Sequence, residues 1–598
     1  MTDSPAVSGL YLADWITIGG YFFIMAAIGV FFYGKMRRMK DYFSGGNAIP
    51  WWLSGVSFYM SSFSVAAFVF YPSLCYRFGF VGVTLLWVAI PATLFSALLF
   101  AARWRRARVS SPVEYLENRY SPLLRQVFAW QGVPVRIIDD GMKLLATATF
   151  ISLCVGLPTS QSILFTGGVI LLTTFLGGLW AVAITDFVQF VVLTAAVLIL
   201  LPLSIAKAGG MSTLLSGLPD GFLRLTTPEY GWGYVVSLVL MYALAWSSIN
   251  WSLIQRYYCV PRERDALKVG ALVVALYVVG PPLMFFPAMA AVRFLPALED
   301  AGHVYPLLCA TLLPPGLVGL AVAAMFAATM STLSSDYNVC ASVLTNDVYR
   351  RIFRQHASDR ELVLVGRMLT LLVGGCALAV GWALSSGKAE NLFRVMVSLF
   401  SVATAPVAIP MLLGLTTRRV NNASALLGFL LGTIAGLALF YLSRQPSFAV
   451  AGVFWDAPSS QVTWRSFTIK METLQFYATC LGTLLGTGIG MLITSTTPSE
   501  QVRIDLFLQR LKTPIGLLTE DTVESRNAGF SPYPVASLSI AAIGTLQLLL
   551  TPFLGLASAA TWLNAALGLL FLLGGVGVYH VTRNPDRESI SQSREEKT

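Results

Sequence analysis

Long apolar runs, cut at intervals by short basic or Gly/Pro-bearing stretches, dominate the chain. They are continuous rather than alternating, which excludes a membrane β-barrel and predicts helices of membrane-crossing length. Fifteen such spans are predicted, at about residues 10–33, 51–75, 78–103, 126–156, 160–178, 179–206, 232–255, 267–293, 315–343, 362–386, 391–414, 422–443, 473–495, 534–553 and 559–581. Residues 1–9 hold Asp3 and no basic residue, so the first run reads as a span and not as a secretion signal.

Two runs break the pattern at mid-depth. The second carries Ser57, Ser61, Ser62 and Ser64, and the seventh carries Ser247, Ser248, Asn250 and Ser252. Serine competes for main-chain hydrogen bonds and makes local unwinding tolerable. The two runs are five spans apart and so enter the membrane in opposite directions. That predicts an inverted repeat of five plus five helices around a central site, although serines between packed helices are also common. In the ninth run Ala328, Ser331, Thr332 and Ser335 share one helical face, with Ser334 adjacent. Such a stripe of hydroxyls supplies the oxygens that a desolvated Na⁺ needs.

Composition agrees. Of 598 residues 56% are hydrophobic and 12% charged, about half the usual charge of a soluble domain. A soluble enzyme, a disordered chain and a nucleic-acid binder are thereby excluded, despite a net charge of +10. With the N-terminus outside and the C-terminus inside, the inside loops hold 29 of the 40 Lys and Arg residues and the outside loops eight. The basic balance therefore reflects membrane orientation. Within the inside loop 497–533, Val502–Leu511 is amphipathic and is expected to lie along the inner leaflet. The seven cysteines form no CxxC pair and read as core residues.

Charges within the spans are candidate functional groups, because each costs at least ~2.5 kcal/mol to insert. Asp186 is the only carboxylate of the sixth span. The fourth carries Arg136, Asp139, Asp140 and Lys143, spaced for i,i+4 pairs of Arg136 with Asp140 and of Asp139 with Lys143. Mutual neutralisation and solute binding are both open roles for them.

At this point the sequence resembles the sodium:solute symporters. The resemblance runs from about residue 35 to about 425. It is carried by Lys40-Asp41-Tyr42-Phe43-Ser44-Gly45-Gly46, Pro72 to Gly79, Ser111 to Tyr120, Gly177 to Gln189, Gln255-Arg256, and Ala327 to Ser334 with Thr345 to Arg350. It implies an all-α polytopic protein of the leucine-transporter type. The expected units are an N-terminal extra helix with its loop (1–50), two five-helix repeats (51–206 and 207–414) and additional C-terminal helices (415–598). It also implies sodium-coupled symport of a small polar or organic-anion solute by alternating access in the cell (inner or plasma) membrane. No cofactor is expected beyond Na⁺ as coupling ion, with a monomer as the transport unit.

Carried over by position, the family's shared sodium site falls on Met60, Phe63, Ala328, Ser331 and Thr332, and the second site of some members on Asp186, Ser331, Ser334 and Ser335. Two Na⁺ per cycle are expected. The expected solute contacts are Ser62, Phe63, Ala66, Tyr71, Asp140, Lys143, Trp246 and Asn250, with Trp246 as an aromatic lid. Polar positions of the sugar carriers are replaced by Val65, Ala66, Ala67 and Ala89, which disfavours a hexose. The rival readings are proton coupling through Asp186 and a transporter-like sensor acting with a separate partner. No enzyme motif is present.

Overall fold

The computed structural model describes residues 10–33, 39–62, 64–109, 111–295, 298, 300–314, 316–385, 392–443, 445, 447–450, 453–456, 461–464, 467–518, 533–554 and 559–582. Phe63, part of the inside loop and the C-terminal tail lie outside them. Among the described residues, 11 helices are long and apolar enough to cross a membrane, and three bent pairs pass the same test together.

Two of the bent pairs are the predicted broken spans. The first is Trp51–Ser61 followed by Val65–Phe78. The second half restarts at Ser64, an extended residue whose hydroxyl accepts from the Ala66 amide at 3.3 Å. It stops at Gly79, where φ is +72° and a Cβ would meet the Phe222 carbonyl oxygen at 1.8 Å. The second broken span is Trp232–Ser247 followed by Trp251–Tyr258, bent by 56°. Its exposed carbonyls find side-chain donors: Trp104 Nε1 to Ser247 at 2.9 Å, Ser96 Oγ to Trp246 at 3.3 Å and Arg136 Nη2 to Ile249 at 2.9 Å. Unwinding inside the membrane is tolerated because those groups are satisfied.

The third bent pair is a connection. Pro122–Val155 starts at a Ser121 cap with Pro122 as its first residue and ends at left-handed Gly156. Thr159–Leu172 then turns back at 116°. The predicted fifth and sixth spans are not separated: Thr159–Lys207 is helical over 49 residues. That is about 74 Å at 1.5 Å per residue, more than twice the hydrocarbon core. Gly177 and Gly178 lie between the two predicted spans, but without a cap or a proline they do not end the helix.

The hydroxyl-bearing helix Leu317–Val343 is the centre of the molecule. Of its apolar window 94% is buried, against no more than 67% in any other such span. It packs against Thr159–Lys207, Pro122–Val155 and the N-terminal helix Leu12–Tyr33. That last helix also caps it: Asp14 Oδ1 accepts from the amides of Gly316 at 2.6 Å and Gly319 at 2.7 Å, a carboxylate at the positive pole of a helix. Only glycine fits at 319, since a Cβ would lie 2.6 Å from the Asp14 Cα.

Two elements depart from expectation. Phe448–Lys470 contains a four-stranded antiparallel meander with the order of the chain, paired Phe448 with Trp455 and Gln461 with Lys470. The amphipathic stretch is a helix, Pro498–Lys512, but its Ile504, Phe507, Leu508 and Leu511 are buried, and Phe507 stacks on Tyr115 at 5.7 Å. That stripe is covered by protein, while Val502 and Leu506 on the same helix stay exposed.

Candidate functional site

The first break lies against the hydroxyl helix, tied at both of its ends. Ser61 Oγ and Ser335 Oγ are 2.8 Å apart, and the Val65 amide donates to Thr329 Oγ1 at 3.0 Å. Between those two ties lie Ser331 and Thr332. Thr332 Oγ1 donates to the Ala328 carbonyl at 3.1 Å. Ser331 Oγ is fully buried, lies beside Asp186 and has no partner in hydrogen-bond geometry. Met60 is buried at the end of the first half-helix. Of the five positions matching the shared sodium site, four are therefore on facing stretches of backbone, and Phe63 is outside the described residues.

The positions of the second site also converge, but around a cation of the chain itself. The Arg256 guanidinium is completely buried. It donates from Nε to Ser57 Oγ at 2.7 Å and from Nη2 to Ser335 Oγ at 2.7 Å, and lies 3.5 Å from Asp186 Oδ2. Ser57 also donates to Asp186, whose other oxygen has no partner. Ser334 Oγ turns back to its own helix, donating to the Ser331 carbonyl at 3.2 Å.

Beside these sites is a cavity of about 130 Å³. Ser62, Ala66, Tyr71, Lys143, Trp246 and Asn250 line it as expected. Asp140 does not: successive helical residues are turned by 100°, and it is Asp139 that faces the cavity. The i,i+4 pairing is half kept. Lys143 Nζ lies 2.7 Å from Asp139 Oδ2, while Arg136 is engaged by Asp139 at 3.5 Å and Asp336 at 3.7 Å in place of Asp140. Arg136 and Asp139, for which solute binding had been left open, line it as well, and Asp336 is a lining residue that the sequence reading left out. For Asp336 the signal was present, one residue beyond the hydroxyl stripe. Arg136 also donates to Asn250 Oδ1, so one side chain joins the charged helix to the second break. Trp246 packs edge-on or tilted against Phe58, Tyr242 and Tyr277, with centroids 5.3–6.0 Å away.

Comparison with known proteins bears on this arrangement directly. The family model described as the sodium:solute symporter family matches residues 42–432. The chain belongs to the sodium:solute symporter family. The symporter is similar to the sodium/sialic acid symporter SiaT of Proteus mirabilis, 26% identical over 72% of this chain and 89% of that one. It is also similar to the sodium/mannose cotransporter of Bos taurus, 27% identical over 73% and 81%. The solved substrate-bound outward-open state of a Na⁺-coupled sialic acid symporter superposes with a TM-score of 0.68, covering 81% of this chain and 98% of that one at 20% identity. The fold is thus the leucine-transporter type, and the symporter is a multi-pass membrane protein and a secondary transporter, not an enzyme.

Proposed function

We propose that this symporter couples inward movement of a small polar solute to Na⁺ bound between the first break and the hydroxyl helix. The ion's ligands are the main-chain carbonyls of Met60, Phe63 and Ala328 and the hydroxyls of Ser331 and Thr332. The observation that carries this reading is the pair of ties, Ser61 to Ser335 and Val65 to Thr329, which hold the break against the buried Ser331 hydroxyl. Ion binding draws the two elements together and orders the adjoining cavity. Their separation after the carrier turns inward releases the ion. Each charge moved across 100 mV supplies ~2.3 kcal/mol to solute accumulation.

A second Na⁺ takes Asp186 with the hydroxyls of Ser331, Ser334 and Ser335. Arg256 is its competitor there, 3.5 Å from the carboxylate, so the ion enters as the guanidinium withdraws. The N-terminus lies outside and the C-terminus inside, and one copy of the chain transports.

Uptake by proteoliposomes under a sodium gradient tests the coupling. Ser331→Ala and Thr332→Ala are expected to raise the Na⁺ concentration for half-maximal uptake by at least tenfold. A Hill coefficient for Na⁺ near two should fall toward one in Asp186→Asn. Uptake that follows a pH gradient and survives both hydroxyl substitutions would replace sodium by proton coupling.

A further inference from the structure

The charged helix sets acids and bases around the solute cavity. Arg136, Asp139, Lys143 and Asp336 are the charged residues among those lining it. Asp140 lies directly behind, 3.1 Å from Lys143. On the lining itself two carboxylates balance two cations, and Asp140 adds a third carboxyl behind them. Lys143 is occupied by the chain's own carboxylates: it donates to Asp336 at 3.0 Å and Asp140 at 3.1 Å and lies 2.7 Å from Asp139 Oδ2. Arg136 is held by the Ile249 carbonyl and Asn250.

The carboxylates, by contrast, are incompletely used. Oδ1 of Asp139 and Oδ2 of Asp140 have no hydrogen-bond partner, although each residue is 99–100% buried, while Asp336 is engaged by Lys143 and Ser252. Carboxylate oxygens of the three lie within 4.8 Å of one another. Buried acceptors of this kind call for a donor or a cation. Aromatic faces complete the surroundings, with Tyr71, Tyr242, Trp246 and Phe400 on the same cavity wall.

We infer that Asp139 and Asp336, backed by Asp140, form a seat for a protonated amine of the transported solute, so that the solute class is ammonium-bearing, as an amine or a zwitterion, and not a simple organic anion. A divalent metal is disfavoured because Lys143 and Arg136 already stand against the same carboxylates. A bare alkali ion needs a shell of close oxygens, whereas aromatic faces attract an organic ammonium. An anionic solute would meet buried carboxylate oxygens with no free cation to answer it. The inference rests on the proposed symport only for the direction of transport; the seat itself is a binding property.

The test uses the purified full-length protein and matched probes of three, five and seven carbons: straight-chain carboxylates, straight-chain primary amines and the corresponding ω-amino acids. Thermal shifts are recorded in Na⁺ and in K⁺, and Na⁺ alone is compared in wild type and Ser331→Ala. Na⁺ stabilisation that is lost in Ser331→Ala supports the sodium site separately, whatever the probes do. The inference expects amines or ω-amino acids to stabilise the protein while carboxylates of equal length do not. Asp139→Asn and Asp336→Asn should then weaken that binding at least tenfold, and Asp139→Glu should retain it. Equal or greater stabilisation by the carboxylates overturns it, as does a series in which no ammonium-bearing probe shifts the melting temperature. Should the Asn variants not fold, the wild-type series alone decides.

Discussion

Asp186 was legible as a lone carboxylate in an apolar run, yet its partner was not. Arg256 follows the second break, and only the fold brings it to 3.5 Å from Asp186. Because both side chains are completely buried, removing one leaves the other charge uncompensated, a cost of about 3–5 kcal/mol. Asp186→Asn is therefore expected to lower the melting temperature of the purified protein more than Ser334→Ala, whose hydroxyl bonds only to its own helix. An unchanged melting temperature in Asp186→Asn would show that the pair does not persist in the membrane-extracted protein. Asp139 and Asp140 teach the same lesson at finer grain. Composition marks both, but the choice of the residue facing the cavity depends on helix rotation, which neighbouring elements set.

Among elements, the broken helices were the most readable, since two serine clusters stand at mid-depth five spans apart. What the sequence left open was how each break is held. Thr329 holds the first: its hydroxyl accepts from the Val65 amide at 3.0 Å and meets Thr147 Oγ1 at 2.7 Å. Thr329→Val keeps the shape but leaves a buried amide without its acceptor, at about 1–3 kcal/mol. Weaker Na⁺ stabilisation is expected in a thermal-shift titration, because the lost tie flanks the ion ligands. Thr329→Ser should restore it. If Val at 329 leaves the Na⁺ titration unmoved, the break is positioned by other contacts. The helix Pro498–Lys512 was only half legible for a related reason. Its amphipathic pattern records that one face is apolar, while the identity of the covering surface, here Tyr115 and its neighbours, is a tertiary property.

For the whole molecule, the unequal distribution of Lys and Arg carries the orientation. In a background without native cysteines, a cysteine at Ser499 is expected to react with an impermeant thiol reagent only from the cytoplasmic side, and one at Thr468 only from outside. Labelling of both from one side would invert or break the predicted order of crossings. The long helix Thr159–Lys207 was hidden in this balance, since charge in loops reports sides and not how spans are joined. The Asp14 clasp, finally, sets which bodies travel together. A helix outside the repeat grips the start of the ion-bearing one through two amides, so Leu12–Tyr33 must ride with Leu317–Val343 as one stationary or one moving block. Spin labels at Trp15 and Val318 would then keep a constant separation through turnover, while labels that straddle the first break would not.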